Sequence, residues 1–330
     1  MSRPRSPLPN DLPDAFSTRD ARALGVPTWR LRTDELVSPF RGVRVLAASI
    51  VPDLTSERHL LQRIAHVYPV LAEGAFLSLS AAAAVWQIPL PRRQYDFLDV
   101  SVVNPRRPTR LTGVTAHRVE PGLVNVVEHN GYRVTDPAST WAQLATRLEL
   151  YDLVAAGDAV VLDKQPAGPY HRDDIGSPPL GTLHDLHDAA RPRRPKRSLL
   201  RRALPLVRTN AWSRPESHLR LLLVDAGLPE PELNYNIGDE TGHWVKCVDL
   251  AYPEWRIAIE YQSAYHRTAD QYSRDVSALA ELARLGWYCI QVTSAHVFTY
   301  PHMAVSMVTD AIDAQQQRPL FARLKPQLPA

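Results

Sequence analysis

Apolar residues recur along this chain with two different periods, and together they predict a mixed α/β fold. Residues 54–87 carry apolar side chains at the spacing of a helix face, and residues 183–190 and 295–311 repeat that pattern. Alternation of apolar and polar positions, which is typical of strands, occurs at residues 97–104, 114–119, 131–134, 233–237, 243–250, 256–261 and 287–293. We therefore expect an α/β (α+β) protein of more than one domain.

Segments rich in proline and arginine divide the 330 residues into the expected domains, because a chain of this length exceeds one ordinary core. The domains are predicted at residues 15–50, 51–163 (a mixed α/β middle domain) and 213–314. Residues 164–212 are predicted to form a basic, Pro-rich linker with helices, residues 1–14 a disordered tail and residues 315–330 a loose tail. The most basic stretch, residues 190–202, is open to two interpretations: a solvated tract, or a surface for backbone phosphates.

The N-terminal domain has the pattern of a helix-turn-helix followed by a β-ribbon. Ser17 and Asp20 form a capping box for a first helix, and Thr28 is placed to cap a second helix that runs to Leu36. A ribbon at residues 38–46 would form the wing. The arginines predicted to face DNA phosphates are Arg30, Arg32, Arg41 and Arg44. The alternative is a small helical subdomain with ordinary surface arginines.

Two acidic residues lie on two neighbouring predicted strands in the C-terminal domain. Asp249 ends the first strand and Glu260 lies in the second, with Gln262 two residues further on and on the same face as Glu260. Carboxylate oxygens are the ligands that Mg²⁺ or Mn²⁺ takes in proteins, and a bound cation of this kind activates water against a phosphodiester. We therefore expect Asp249 and Glu260 to hold the metal and Gln262 to orient water or phosphate.

Basic residues and a histidine follow this pair of strands. His266, four residues beyond Gln262, can act as a general base or hydrogen-bond a phosphate, although a surface position at a helix start is the alternative. Arg267 and Arg274 are predicted nucleic-acid contacts. Lys246 lies three residues before Asp249, which places it on the opposite face of a regular strand. We therefore do not expect it to provide a cation to the site.

The stretch VDLAYPEWRIAIEYQ…HR, with its Asp249…Glu260-Tyr261-Gln262 core, resembles the very-short-patch-repair-like endonuclease domains of the restriction-endonuclease-like (PD-(D/E)xK) nucleases. The resemblance runs from about residue 213 to 312 and implies a restriction-endonuclease-like sheet flanked by helices. It also implies that a helix-borne glutamate, Glu216, approaches the metal, while Glu216 equally fits a capping box with Ser213. Gln262 stands in place of the triplet's lysine, and Ala264 in place of an acid.

The N-terminal segment resembles, over some 35 residues, the winged-helix domain of AbiEi-type antitoxins of toxin–antitoxin systems. This resemblance implies a DNA partner and adds a toxin to the candidate partners, beside a repair partner. It also keeps open a regulatory function for the chain.

Composition and charge add little to this picture. The chain is 45 % hydrophobic and 22 % charged, as in a soluble globular protein, and its net charge of +3 is too small to indicate a nucleic-acid partner. Cys247 and Cys289 fall in predicted buried strands, which suggests reduced core residues. No apolar run approaches the roughly 18 residues of a membrane span, and the N-terminus lacks an apolar signal region, so we expect a cytoplasmic protein without a membrane partner.

From the sequence we predict a metal-dependent DNA endonuclease acting in repair, phage defence or a toxin–antitoxin-type system. The alternative is a non-catalytic DNA-binding regulator whose nuclease domain has degenerated, which Gln262 and Ala264 favour. Cleavage of RNA also stays open, because no predicted contact distinguishes the sugar.

Overall fold

A computed structural model describes residues 7–108, 110–163, 178–262 and 269–317, except for the side chains of residues 269–275. The described residues form two compact units. The first contains the residues up to Glu149 together with Gly181–Leu204, and the second contains Leu150–Leu180 and the residues from Pro205 onward. Each unit combines helices with a β-sheet, which confirms the mixed α/β class. Within the described residues, no helix has the length and apolar character that crossing a membrane requires.

Helices and strands follow one another through the described residues. The strands are β1 (Ala15–Ser17), β2 (Leu36–Val37), β3 (Val43–Leu46), β4 (Phe76–Leu77), β5 (Asp99–Val103), β6 (Thr115–Val119), β7 (Val126–His129), β8 (Tyr132–Thr135), β9 (Glu232–Gly238), β10 (Trp244–Tyr252), β11 (Ile257–Gln262) and β12 (Tyr288–Thr293). The helices are α1 (Thr18–Ala23), α2 (Ser56–Val67), α3 (Leu79–Val85), α4 (Pro137–Leu144), α5 (Leu150–Val161), α6 (Leu183–Ala190), α7 (Arg197–Ala203), α8 (Arg214–Asp225), α9 (Ala269–Arg284) and α10 (Pro301–Gln316).

The N-terminal part of the first unit is a small three-stranded sheet with the order β1-β3-β2 and with α1 beside it. The predicted second helix through Leu36 is wrong: the segment makes one 3-10 turn at Arg30–Arg32, and β2 begins at Leu36. The turn stops because Thr33 takes an extended conformation and its hydroxyl donates to the Arg30 carbonyl. The segment therefore lacks the second α-helix of the predicted helix-turn-helix.

A five-stranded mixed sheet with the order β6-β5-β4-β8-β7 forms the rest of the first unit's framework. Its core joins Val100 and Val102 of β5 to Leu60 and Ile64 of α2. Val43 and Val45 of β3 belong to the same cluster, together with Phe40. Residues 15–50 and the following segment are therefore packed around a common core.

The segment predicted as a linker is partly folded into the first unit. Helix α6 runs over the predicted residues, and its capping box is formed by Thr182 and Asp185. Leu186 of α6 and Leu200 of α7 are fully buried. Residues 164–177 of the predicted linker lie outside the described residues, and α5, predicted in the middle domain, belongs to the second unit.

The predicted tails differ in outcome. Leu8 and Leu12 pack against the cluster around Phe16, so the described part of the predicted disordered tail, residues 7–14, contributes to a core. Residues 318–330 of the predicted C-terminal tail lie outside the described residues, and α10 extends to Gln316.

The second unit is built on a four-stranded sheet with the order β12-β11-β10-β9. The antiparallel β9, β10 and β11 are joined by β12, which runs parallel to β11. One hydrophobic cluster joins the sheet to α8 and α10 and includes Leu219, Leu250, Ile259 and Val308. A second cluster joins Val248 and other sheet residues to Leu282 of α9. Helices α8 and α10 thus pack on the sheet through one hydrophobic cluster and α9 through the other. The four strands predicted for this unit are confirmed.

Candidate metal centre

Asp249 lies at the point where β10 and β11 stop pairing. The last aligned pairs of these strands are Tyr252 with Ile257, Ala251 with Ala258, and Leu250 with Ile259. One residue beyond, Asp249 Oδ2 accepts a hydrogen bond of 2.7 Å from the backbone N–H of Tyr261. The carboxylate therefore takes the place of a backbone acceptor and is fixed beside β11.

Asn234 faces Asp249 from the neighbouring strand β9. The pairs on either side are Leu233 with Leu250 and Tyr235 with Val248, so Asn234 and Asp249 occupy opposite positions on β9 and β10. Asn234 has a positive φ of 49°, a left-handed conformation that asparagine tolerates better than most residues. Its amide Nδ2 donates to the Asn210 carbonyl at 2.8 Å and to Glu216 Oε2 at 2.8 Å.

Glu216 reaches this position from the first turn of α8. Its backbone N–H donates to the Ser213 hydroxyl at 3.4 Å, which confirms the N-cap that the sequence predicts. Its side chain, 5 % exposed, accepts from the Trp212 backbone N–H at 2.9 Å in addition to the Asn234 amide. One carboxylate thus serves the start of the helix and also contacts the strand residue opposite Asp249.

Electrostatics show that Glu216 and Asp249 are close to each other. Burial, followed by the negative charge of Asp249, raises the pKa of Glu216 to about 7. Hydrogen bonds from Trp212, Ser213 and Asn234 act in the opposite direction, because they stabilise the ionised form. The two carboxylates therefore repel each other, and a cation between them would relieve that repulsion.

A buried ionic network holds α8 against α5. Asp158 of α5 is 1 % exposed and accepts from the Ser217 hydroxyl at 2.6 Å and from the Arg208 backbone N–H at 2.7 Å. Arg220 of α8 lies 3.7 Å from the same carboxyl group. Because Ser217 follows Glu216 directly, this network fixes the turn of helix from which Glu216 projects.

Glu260 forms an ion pair that the sequence does not predict. Its carboxylate is 3.6 Å from the Lys246 ammonium, and the two side chains are 11 % and 15 % exposed. Burial raises the pKa of the Cys289 thiol to about 11, with the Glu260 charge adding to the effect and Lys246 opposing it, so Cys289 lies near this ion pair. Lys246, which we expected to lie away from the site, is therefore beside one of the predicted acids.

The pairing of β10 with β11 explains why Asp249 and Glu260 have different partners. Asp249 and Glu260 would be the next pair after Leu250 and Ile259, but the aligned pairing ends before them. Asp249 accepts a hydrogen bond from the Tyr261 amide, while Glu260 forms an ion pair with Lys246. In addition, the register of β10 with β9 shifts between Trp244 and Lys246.

The other C-terminal site residues fall at or beyond the edge of the described structure. Gln262 is the last residue of β11, half-buried, and aligned with Thr293 of β12. His266 and Arg267 lie outside the described residues. Arg274 belongs to α9, but its side chain is not among those described.

The four N-terminal arginines divide into two kinds. Arg30 is 5 % exposed, bonded to Thr33 at 2.7 Å and paired with Glu35 at 2.7 Å, so its prediction as an exposed phosphate contact is wrong. Arg44 is half-buried and donates to the Leu31 and Val43 carbonyls. Arg32 and Arg41 are exposed, as a phosphate contact requires.

A divalent cation such as Mg²⁺ needs several oxygen ligands. Among the side chains that the structure describes, no group of three or more His, Cys, Asp and Glu residues is arranged to hold a metal ion. Asp249 and Glu216 provide two carboxylates, and Mg²⁺ commonly binds through one or two carboxylates with water and phosphate oxygens completing its shell. The pair fits a hard divalent cation of that kind.

Sequence reasoning missed Asn234, and it considered Lys246 but placed it on the opposite face of the strand. Nothing in the alternation of β9 distinguishes Asn234, although asparagine within a strand is a weak signal of a left-handed position. Lys246 is one of only four lysines in a chain whose other cationic residues are arginines, which was the available signal.

Comparison with known proteins gives relatives without an assigned activity. The chain is 29 % identical over 262 residues to uncharacterized proteins of Mycobacterium tuberculosis, from strains CDC 1551 / Oshkosh and ATCC 25618 / H37Rv. The aligned region covers 78 % of this chain and 88 % of each relative. No family model matches the chain, and no solved structure matches it significantly.

Proposed function

We propose that the second unit binds a divalent cation through Asp249 and Glu216 and hydrolyses phosphodiester bonds in DNA. The observation that carries this proposal is the hydrogen bond from Asn234 to Glu216, because Asn234 is the strand residue opposite Asp249. Two carboxylates, one from the first turn of α8 and one from within β10, are thereby brought to the same strand position. The repulsion between them gives further support.

Mg²⁺ or Mn²⁺ held there would supply the chemistry of a Lewis acid that lowers the pKa of water and polarises a phosphate oxygen. The Tyr261 amide orients Asp249, and the Trp212 and Asn234 donors orient Glu216. Gln262, at the end of β11, would position the water or the phosphate, and His266 would accept or donate the proton. The Lys246 ammonium lies beside β11, where it is paired with the Glu260 carboxylate. In the first unit, Arg32 and Arg41 are the proposed phosphate contacts.

Cleavage of supercoiled plasmid with Mg²⁺ or Mn²⁺ tests the proposal. We expect nicking by the wild-type protein and its loss with EDTA, in Asp249→Asn and in Glu216→Gln. Glu232→Gln, which changes an exposed acid on β9, is the matched control and should cut as well as wild type. Glu260→Gln distinguishes the pair Asp249 and Glu216 from the pair Asp249 and Glu260. Loss of metal binding in this variant would show that Glu260 is a ligand. Cleavage that survives Asp249→Asn would contradict the proposed site.

A non-catalytic DNA-binding regulator is the second candidate, and one observation favours it. Glu260, the acid of the nuclease-like triplet, forms an ion pair with Lys246, and Gln262 replaces the triplet's lysine. A regulator of this kind should bind DNA equally well with and without divalent metal. Binding without cleavage of DNA or RNA over a range of sequences and mismatches would support it.

A further inference from the structure

The first unit contains a pocket of about 370 Å³ beside β6 and α4. Its volume lies within the range of roughly 300–1,000 Å³ that is common for small-molecule sites. The apolar part of its lining consists of Leu79, Val119, Leu123, Val124, Ala142 and Pro195. Every lining residue belongs to the first unit, so the pocket is independent of the proposed metal centre.

Arg194 brings a half-buried cation to this pocket. Its Nη2 donates to the Leu123 carbonyl at 2.8 Å, but its Nε is buried and has no hydrogen-bond partner among the described residues. Burial lowers the pKa of Arg194, because the charged guanidinium loses hydration there. An oxyanion would supply the acceptor that the Nε lacks.

Gln143 of α4 brings a second incompletely bonded polar group. Its Oε1 is buried and receives no hydrogen bond from the described residues. Buried amide oxygens in folded proteins normally accept at least one hydrogen bond. A ligand that donates an N–H or O–H would satisfy it.

The remaining charged groups of the lining determine the sign of the ligand. Arg118 and Glu120 are exposed at the pocket, and Glu120 accepts from the Asn104 amide at 3.2 Å and 3.3 Å. His117 is bonded through Nε2 to the buried Asp99 carboxylate at 2.7 Å, which Arg147 also contacts at 2.9 Å. With Arg194 included, the lining has two arginines and one glutamate, and this excess of positive charge favours an anion.

We propose that this pocket binds a small organic acid, with its carboxylate on Arg194, an N–H or O–H donor on Gln143, and an apolar body against the aliphatic lining. The volume of about 370 Å³ is that of a site for one small molecule. The proposed ligand site is formed by residues of the first unit alone. Its polar groups fix the orientation of the ligand, as is usual in mostly apolar pockets.

Binding of N-acetyl-phenylalanine to the full-length protein tests the proposal, measured by calorimetry and by ligand-observed NMR. This probe has a carboxylate, an amide N–H and an apolar ring. Two analogues remove one feature each: the C-terminal amide removes the charge, and the N-methyl acid removes the donor. Arg194→Met and Gln143→Met remove the protein's partners, and Arg193→Met, an exposed arginine one residue away, is the matched control. A short peptide ending in phenylalanine distinguishes a free acid from a chain terminus.

We expect the acid to bind at millimolar concentration or below, and to bind roughly tenfold more weakly to Arg194→Met, as expected for loss of a charge-assisted hydrogen bond. Compared with the acid, the amide analogue should bind wild type more weakly but Arg194→Met equally well. The N-methyl acid should bind wild type more weakly than the acid does, but Gln143→Met equally well. Three results would overturn the proposal: no binding of the acid, equal binding by variants that unfold as cooperatively as wild type, or a preference for the peptide. If the acid does not bind, water is the remaining partner for Arg194 Nε and Gln143 Oε1.

Discussion

Glu216 and Asp249 come from elements far apart in sequence, yet the carboxyl group of Glu216 is hydrogen-bonded to the residue that faces Asp249 across the sheet. Burial and the charge of Asp249 raise the pKa of Glu216 to about 7. The protein thus keeps two acids close together although their charges repel each other. A helix-capping role for Glu216 does not by itself account for this arrangement.

The repulsion predicts a pH-dependent stability. The pKa of Glu216 is raised in the folded state from its ordinary 4.5 to about 7. The stabilisation that neutral Glu216 gives the folded state is therefore fully present below about pH 4.5 and is lost as the pH rises through 7. Glu216→Gln stays neutral and keeps an oxygen for the Trp212 and Asn234 donors. Between pH 5 and 8 the wild type should therefore lose up to about 3 kcal/mol of stability relative to this variant.

Urea unfolding at a series of pH values measures this difference in the absence of divalent metal. Asp158, whose pKa burial raises to about 6, titrates in both proteins and cancels in the comparison. A difference in unfolding free energy that does not change with pH would show that Glu216 is ionised throughout and is not repelled.

The Lys246–Glu260 ion pair predicts a coupled effect on stability. Lys246→Met leaves the Glu260 carboxylate buried beside the Cys289 thiol, and breaking a buried pair of this kind should cost about 3 kcal/mol. The double variant Lys246→Met/Glu260→Gln should recover much of that loss, because the Glu260 charge is removed together with its Lys246 partner. Thermal or urea unfolding of the four proteins of the cycle gives the coupling energy, and additive losses would contradict a direct pair.

The N-terminal arginines predict a separation between stability and DNA affinity. Arg30→Met removes the buried contacts to Glu35 and Thr33 and should destabilise the first unit by about 2 kcal/mol. Arg32→Met and Arg41→Met change exposed residues, so their unfolding should stay within about 0.5 kcal/mol of wild type. If they contact phosphates, each should weaken DNA binding and lower the salt slope by about one unit, measured by fluorescence anisotropy. Unchanged salt slopes in both would remove this segment from the DNA interface.

The sequence predicted those parts of the fold in which local and tertiary preferences agree. Helix α6 begins and ends where the apolar spacing places it, because the Thr182–Asp185 capping box fixes its start. Strands β10 and β11 follow the alternation, since their apolar residues fill the clusters on the sheet. The segment after Pro27 failed for a tertiary reason: the Arg30 side chain is bonded to Thr33 and Glu35, and this arrangement favours one 3-10 turn over a longer helix.

The acids of the candidate site could be predicted from the sequence, but their partners could not. Asp249, Glu260 and the capping role of Glu216 could be derived from strand ends and helix-start patterns. Which acid meets which partner depends on where β10 and β11 stop pairing and on the left-handed Asn234, and periodicity contains neither fact. For the same reason Lys246 was placed apart from the acids, although it contacts Glu260.

Calorimetric titration of Mn²⁺ into the metal-free protein at pH 8 tests the central claim most directly, because it measures the cation site without requiring a substrate. Binding of one ion to the wild type and to Glu232→Gln, with loss of at least about tenfold in affinity in Asp249→Asn and in Glu216→Gln, is the result we predict. Absence of binding to the wild type, or equal binding by all four proteins, would contradict the assignment of Asp249 and Glu216 as a metal centre.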